Sequence, residues 1–290
     1  MFGFLCSQFV YNIKSSFDDV FISPVRRFIP PTTITDLPLN AIEPVWKDYQ
    51  IFDSHAHIGN YYDIDASFSA DELAVHMSQY NIKRAAISAV TKDILNDNNL
   101  VAEAIRKFPE RIIGLAHIDP STGISALKEI DRCLEMGFKG LKLHPVYDAY
   151  VIFDSRLLFP VLEKAAKNRL PILIHTGTPP MSTPIHIGYL AQHFPEVNFI
   201  CGHMGLGDSS YEAPEAGEMA ENIYMDTSCA AAAGLIERAI KRLGTGKFVW
   251  GTDVPYGNFV SEFFKLLSLR ISDEEKRAIL WENPMKIYRM

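Results

Sequence analysis

An alternation of two kinds of segment constrains the fold of this chain more than any other feature. Short apolar runs rich in β-branched residues alternate with amphipathic stretches of helical length from residue 49 onward. Such alternation is typical of βα units that build a parallel sheet. Eight such units in a chain of 290 residues predict one (β/α)8 TIM barrel. The predicted strands are residues 49–55, 83–90, 111–117, 138–144, 171–175, 197–203, 222–228 and 247–253.

Local signals at the helix ends agree with this pattern. Residues Ser69–Glu72 and Ser272–Glu275 each have the spacing of a capping box, which begins a helix. Gly137 suits the position after a helix predicted over residues 123–136. An open doubly wound sheet is the alternative architecture, and it is expected to carry a G-x-G-x-x-G loop after an early strand. The sequence has no such loop, so we prefer the barrel.

Residues 1–47 are predicted to be an N-terminal extension, and residues 48–290 to be the barrel domain. The apolar start, Met1–Cys6, is too short for a membrane span and lacks the basic region of a signal peptide. We therefore expect no transmembrane segment, and an extension that packs on the barrel or on a partner subunit. The extension contains prolines that favour irregular backbone: Pro24, Pro30, Pro31, Pro38 and Pro44.

Composition excludes some classes of protein. The formal net charge of −7 argues against a nucleic-acid-binding protein, which would need a basic face. The hydrophobic fraction of 48% is enough to bury a large core. The four cysteines contain no Cys-x-x-Cys pair, and four in this length do not make a disulfide framework. We expect reduced thiols and a cytoplasmic location.

Histidines gather at the C-terminal ends of the predicted strands, where barrels of this kind build their active sites. Asp253 takes the same position on the last strand. Side chains at i and i+2 of a strand point the same way, so Asp53, His55 and His57 are expected to share one face. Six of the nine histidines lie at strand ends: His55, His57, His117, His144, His175 and His203.

These motifs resemble those of the amidohydrolase superfamily, and specifically its amidohydrolase-2 branch, which includes aminocarboxymuconate semialdehyde decarboxylase. The resemblance covers about residue 50 to the end of the chain and leaves residues 1–47 outside. The motifs that carry it are Asp53-Ser54-His55-Ala56-His57, Gly140-Leu141-Lys142-Leu143-His144-Pro145, Leu173-Ile174-His175-Thr176-Gly177, Gly202-His203-Met204-Gly205, Gly251-Thr252-Asp253 and Glu282-Asn283-Pro284.

The resemblance implies one divalent metal ion held by His55, His57, His175 and Asp253. Three imidazoles and a carboxylate with room for water are typical of a catalytic metal site rather than a structural one. Zinc suits this set of ligands best, and manganese or iron would also fit. The resemblance further implies that His203 polarises or deprotonates the metal-bound water. Asp253 is expected to share the roles of ligand and proton acceptor.

Lys142 and His144 are candidates for a second metal site or for substrate binding. The segment around Lys142 resembles the Lys-Leu-Tyr-Pro of dihydroorotases, in which a carboxylated lysine bridges two metals. The alternative is that Lys142 is an ordinary cation that pairs with an acid or binds substrate. His117 is expected to cap its strand, to hydrogen-bond near the metal or to touch substrate, and Asp226 to orient a metal ligand.

The main functional hypothesis is metal-dependent hydrolysis of a small amide, lactone or related carbonyl compound. The alternative is non-oxidative decarboxylation of a small unsaturated or aromatic carboxylic acid, which needs a cation such as Lys142 or Arg156 to hold the carboxylate. A third hypothesis, from another class of protein, is a barrel that lost catalysis and serves as a scaffold. The expected partner is a small-molecule substrate, and relatives suggest a possible homodimer.

Overall fold

The computed structural model describes residues 45–91, 93–230 and 232–290. Most of the predicted extension, residues 1–44, therefore lies outside the described residues, and the boundary at residue 47 stays a prediction. In the described ranges, we find no helix with both the length and the apolar character that crossing a membrane requires.

Eight parallel strands form one sheet in the order of the chain, apart from a small hairpin that is not part of it. The sheet closes because the segment after the last strand returns to the first: Ser54 N donates to Trp250 O at 2.9 Å and Asp253 N to His55 O at 2.7 Å. The predicted barrel is confirmed. Its strands are β1 (Ile51–His57), β4 (Ile82–Ser88), β5 (Ile112–His117), β6 (Gly140–Leu143), β7 (Ile172–His175), β8 (Phe199–Gly202), β9 (Ile223–Asp226) and β10 (Phe248–Val249), while β2 (Gly59–Tyr61) and β3 (Ala66–Phe68) form the separate hairpin.

Helices follow the strands and cover the outside of the barrel. Both predicted capping boxes are present, at Ser69 with Glu72 and at Ser272 with Glu275. Gly137 follows the end of its helix with a φ of +91°, a backbone conformation that glycine adopts without strain. The helices are α1 (Ala70–Gln79), α2 (Ile94–Lys107), α3 (Ile124–Glu135), α4 (Ser155–Asn168), α5 (Pro184–His193), α6 (Ala213–Met219), α7 (Ala233–Leu243), α8 (Phe259–Ser268), α9 (Asp273–Arg277) and α10 (Asn283–Ile287).

Two local features differ from the predictions. The loop after β1 contains an antiparallel hairpin of β2 (Gly59–Tyr61) and β3 (Ala66–Phe68), which the sequence analysis missed. The last strand is shorter than predicted, since β10 ends at Val249 and Asp253 stands on the irregular segment beyond it. A strand of two residues leaves a weak periodic signal, so its end could not be predicted from the pattern.

The barrel interior is apolar at the N-terminal ends of the strands and polar at their C-terminal ends, which form the barrel mouth. Side chains of β1, β5, β7 and β8 fill the lower barrel, and the C-terminal Tyr288 closes it by stacking on Phe52 with ring centroids 5.4 Å apart. A second cluster of apolar side chains packs between the helices and the outer face of the strands. Buried ionisable side chains, among them His55, Lys142 and Asp226, lie at the opposite end, where the strands finish.

Candidate metal centre

The first strand brings two imidazoles together, edge to face, with an angle of 65° between the ring planes. His55 Nε2 lies 3.1 Å from His57 Nε2, and both side chains are buried. The pairing of β1 with β4 shifts register between Asp53 and Ala56. Such a bulge re-aims side chains and is common beside active sites. The predicted convergence of the two histidines is present, on a strand that is locally irregular.

Asp253 completes this group from the irregular segment that follows β10. Its Oδ1 lies 3.4 Å from His55 Nε2 and 3.2 Å from His57 Nε2. The φ of Asp253 is +54°, a left-handed conformation that is strained for a residue with a side chain. Gly251 allows the close approach of the two segments, because a Cβ there would lie only 2.7 Å from the Cβ of His55.

Asp226, at the end of β9, orients His55. Its Oδ2 accepts a hydrogen bond from His55 Nδ1 at 2.7 Å and another from the backbone N–H of His203 at 3.2 Å. Burial alone would raise the pKa of Asp226, but the adjacent His55 holds it well below the usual range. An ionised carboxylate can only accept, so His55 Nδ1 carries the proton and its Nε2 presents a lone pair to the centre.

Lys142 lies in the same group and is completely buried. Its Nζ donates to His55 Nε2 at 2.7 Å. Burial lowers the pKa of Lys142 to about 8, so the amine is still mostly protonated at neutral pH. Burial and the charge of Lys142 together lower the pKa of His55 to about 3, which keeps that imidazole neutral. The lysine therefore competes with any metal ion for the lone pair of His55.

His203 lies on the other side of His55, with ring centroids 4.9 Å apart. His203, His55 and Asp253 each offer one ligand atom, and the three atoms lie within 4.8 Å of one another. His203 Nδ1 is 3.1 Å from the carbonyl oxygen of Ser228. Since a carbonyl only accepts, Nδ1 donates there, and Nε2 is the atom of His203 that is available to the centre.

His175 and His144 form a second layer beside this group. Their rings stack with centroids 4.2 Å apart, and His175 lies 5.0 Å from the ring of His203. The Nε2 of His175 is 3.5 Å from Thr178 Oγ1. Burial, followed by the neighbouring His175, lowers the pKa of His144 well below its ordinary value. The role of His175 as a metal ligand stays a prediction.

Three other candidates take structural positions. Asp53 accepts from Thr252 N at 2.9 Å and from Thr252 Oγ1 at 2.6 Å, so it fixes the segment that carries Asp253. Burial raises the pKa of Asp53 to about 7. His117 lies between two carboxylates, with Asp97 Oδ2 3.5 Å from its Nδ1 and Asp148 Oδ2 3.1 Å from its Nε2. Arg156 pairs with Asp154 at the start of α4, with its side chain 88% exposed, so it is not part of the buried group.

The donor atoms fit a divalent cation. Two imidazole nitrogens and a carboxylate oxygen, from His55, His57 and Asp253, point at a common space within 3.1–3.4 Å of one another. Burial alone would raise the pKa of Asp253, but His203 and His55 beside it hold it well below the usual range, so it is ionised. Nitrogen and carboxylate donors of this kind suit zinc, manganese or iron.

Sequence reasoning missed several residues around this group. Ser88 Oγ lies 3.1 Å from His57 Nδ1 and orients that ring from β4. Cys229 donates to Asp253 Oδ2 at 3.4 Å. Tyr256 places its ring 6.1 Å from that of His57. Its position three residues after Asp253 is the signal that could have found it, because loops that follow barrel strands line the site.

Comparisons with known proteins show which proteins this chain is similar to. A gamma-resorcylate decarboxylase of Polaromonas sp. strain JS666 is 22% identical over 251 residues, which cover 67% of this chain and 75% of that protein. The structure of 2,6-dihydroxybenzoate decarboxylase from Rhizobium matches with a TM-score of 0.67 and 16% identity, over 83% of this chain and 99% of that one.

A 5-carboxyvanillate decarboxylase from Novosphingobium aromaticivorans, complexed with manganese and 4-hydroxy-3-methoxy-5-nitrobenzoic acid, matches with a TM-score of 0.69 and 14% identity, over 83% of this chain and 96% of that one. At such identities the structural matches establish the barrel fold. The sequence pattern of the family described as Amidohydrolase matches residues 50–290, which is nearly the whole described chain. This chain therefore belongs to the amidohydrolase family.

Proposed function

We propose that this protein is a metal-dependent, non-oxidative decarboxylase of a hydroxylated aromatic carboxylic acid. The observation that carries the proposal is the buried group of His55, His57 and Asp253 with the ammonium of Lys142 hydrogen-bonded into it. The similarity to decarboxylases of dihydroxybenzoate and carboxyvanillate supports this reaction over hydrolysis, which was the main hypothesis from the sequence.

His55, His57 and Asp253 would hold the metal ion, with His175 as the further ligand that the resemblance implies. When bound, a divalent ion supplies positive charge that draws an anionic oxygen of the substrate into the site. Manganese is the first ion to test, since a structural relative contains it. One ion per chain is proposed because Lys142 donates to His55 Nε2 as an ammonium, the form that cannot carry a carbamate.

Lys142 would hold the substrate carboxylate. Its ammonium lies in a fully buried site, where an interaction with an anion is stronger than in water. If His55 served as a metal ligand, the N–H group of Lys142 that donates to it here would be free to donate to the substrate carboxylate. Arg156, the other cation considered from the sequence, lies on the surface with Asp154 and is not part of this proposal.

Asp253 would move the proton. Its carboxylate is ionised, so it can accept the proton of a phenol O–H next to the reacting carboxyl group and return it to the ring carbon that bears that group. The carbon–carbon bond then breaks, its electron pair returns to the ring, and carbon dioxide leaves. The phenolate that remains takes a proton from solvent. His203 Nε2 lies beside Asp253 and would accept a hydrogen bond from the substrate hydroxyl.

Product analysis tests the proposal. Protein loaded with Mn²⁺ is incubated with 2,6-dihydroxybenzoate in D2O, and the expected products are carbon dioxide and resorcinol with one deuterium on the carbon that lost the carboxyl group. A parallel panel of small amides and lactones in oxygen-18-labelled water tests hydrolysis. Label entering those products, with no carbon dioxide from any hydroxybenzoate, would reject the decarboxylase and favour the hydrolase.

A further inference from the structure

Three loops meet at a cluster of oxygen atoms, here called the oxygen triangle, made of the Asp63 carboxylate and the hydroxyls of Tyr147 and Tyr256. Tyr147 donates to Asp63 Oδ2 at 2.5 Å, and the Tyr256 hydroxyl lies 3.1 Å from both carboxylate oxygens. The two hydroxyl oxygens are 3.0 Å apart. Asp63 stands between β2 and β3, Tyr147 follows β6, and Tyr256 follows β10.

The oxygen triangle is next to the candidate metal centre. The ring of Tyr147 lies 4.4 Å from that of His144, and the ring of Tyr256 lies 6.1 Å from that of His57. The two tyrosines therefore reach from opposite sides of the barrel mouth and bring their hydroxyls together beside the imidazoles. A planar substrate at the metal centre would have these rings as neighbours.

The oxygen triangle has fewer protons than contacts. Burial and the bond to Asp63 raise the pKa of Tyr147 to about 12, and burial together with Tyr147 raises that of Tyr256 well above its ordinary value. Both hydroxyls thus keep their protons at neutral pH. Two hydroxyl protons therefore serve four short oxygen–oxygen contacts: one from Tyr147 to the carboxylate, two from Tyr256 to it, and one between the two hydroxyls. Not every contact can hold a proton, so the cluster has unused acceptor capacity.

Space is available beside the oxygen triangle. A cavity of about 880 Å³ is lined by Asp63, Tyr147 and Tyr61 among others. Tyr61 packs against Tyr256 with ring centroids 5.2 Å apart. The cavity leaves room for a substituent beside Asp63 and Tyr147, and the ring contacts with His57 and His144 place the triangle next to the metal centre.

We propose that the oxygen triangle is a subsite for a hydrogen-bond donor, a hydroxyl or amino group, on the edge of the substrate ring opposite the reacting carboxylate. The proposal rests on the proposed decarboxylase function. A donor supplies a proton that the cluster lacks, and a carboxylate group accepts hydrogen bonds more strongly than a hydroxyl does. A second carboxylate on that edge would be repelled by Asp63.

Two product-like inhibitors test the subsite. Resorcinol and phloroglucinol differ by one hydroxyl, which is opposite the position of the lost carboxyl group. Both are titrated by calorimetry into the Mn²⁺-loaded protein and used as inhibitors of 2,6-dihydroxybenzoate decarboxylation. We expect the wild-type protein to bind phloroglucinol at least about tenfold more tightly, which corresponds to about 1.4 kcal/mol.

The variants Asp63→Asn and Asp63→Ala should bind the two inhibitors about equally. Asp63 is exposed on a hairpin turn, so both are expected to fold. Asp65→Asn is the matched control, because it removes the same charge from the same turn outside the triangle, at a left-handed position, φ +49°, that asparagine tolerates. The control should keep the tenfold preference.

The outcomes are separable. A preference for phloroglucinol that survives in both Asp63 variants, or a loss of affinity that is equal for the two inhibitors, overturns the subsite while leaving decarboxylation intact. Wild-type protein that releases no carbon dioxide from any hydroxybenzoate overturns the proposed function and the subsite with it.

Discussion

Replacement of Asp226 by asparagine tests how the metal ligands are oriented. The carboxylate lies 2.7 Å from His55 Nδ1, and both side chains are fully buried. Asparagine has nearly the same shape but offers an N–H₂ group that can donate to Nδ1. His55 can then carry its proton on Nε2, where it points at Asp253 and His57 instead of presenting a lone pair.

The expected effect is a weaker metal site in a folded protein. Loss of a partner that orients a metal-ligating histidine typically lowers metal affinity about 10- to 100-fold. At about 1.4 kcal/mol per factor of ten, this is about 1.4–2.8 kcal/mol of binding free energy. Ser228 Oγ, 2.5 Å from Asp226 Oδ2, can accept from the asparagine N–H₂ group, and Ser228 N can still donate to the remaining oxygen, which limits damage to the fold.

The pH dependence of stability gives a second readout of the same change. Because the pKa of Asp226 is lowered in the folded state, the carboxylate stabilises the fold at a pH above the value of an unfolded aspartate, about 3.9. This contribution is lost as the pH falls towards the folded pKa. The unfolding free energy of Asp226→Asn should therefore depend less on pH in the acid range than that of the wild type.

Competition with a chelating dye measures the Mn²⁺ dissociation constant of metal-free wild-type and variant protein. Asp131→Asn is the control, since that carboxylate pairs with Lys164 on the surface and should not change the constant. Circular dichroism and thermal unfolding establish that each variant is folded. A folded Asp226→Asn protein with the dissociation constant of the wild type would refute the tautomer argument.

Three further substitutions test other contacts. Lys142→Met should raise the KM for 2,6-dihydroxybenzoate at least about tenfold without weakening Mn²⁺ binding, because it removes the ammonium 2.7 Å from His55 Nε2; steady-state kinetics with an unchanged KM would count against the carboxylate role. His117 has carboxylate oxygens 3.1 and 3.5 Å from its two nitrogens, and although burial lowers its pKa, these two partners raise it overall. His117→Gln should therefore lower the thermal midpoint most below about pH 6.5, and the difference should shrink as the pH rises through the folded pKa; thermal scans with a constant difference across pH would disagree. Gly251→Ala should destabilise the fold by about 1–3 kcal/mol by crowding His55, and chemical denaturation that finds no loss would show that the two segments can separate.

The barrel could be predicted because its signals are local and repeated. Each predicted strand run and most of the helix boundaries depend on periodicity and on capping residues such as Ser69, which the structure contains as expected. Strand-end histidines also follow from this pattern, since parallel strands place their C-terminal ends together. His117, His144 and His203 all lie at the mouth for that reason.

The contacts inside the site could not be read from the pattern. The register shift of β1 at Asp53–Ala56 and the positive φ values of His203 and Asp253 depend on how the closed barrel packs, and these features decide which nitrogen meets which oxygen. The sequence also could not show that Lys142 donates to a histidine rather than to an acid.

The loops account for the residues that sequence reasoning missed. Asp63 and Tyr256 are 193 positions apart, and nothing in either local pattern predicts their contact. Their meeting follows from closure of the sheet, which brings the last strand beside the first. Loop contacts of this kind require the three-dimensional arrangement before they can be recognised.

Metal analysis of the purified protein tests the central claim most directly. Wild-type protein and a His55→Ala/His57→Ala variant are reconstituted with Mn²⁺ and freed of excess ion. Elemental mass spectrometry then measures the number of metal ions per protein chain. The proposed centre predicts one divalent ion per wild-type chain and none in the folded variant. Equal metal content in the two proteins, or none in the wild type after reconstitution, would contradict the account.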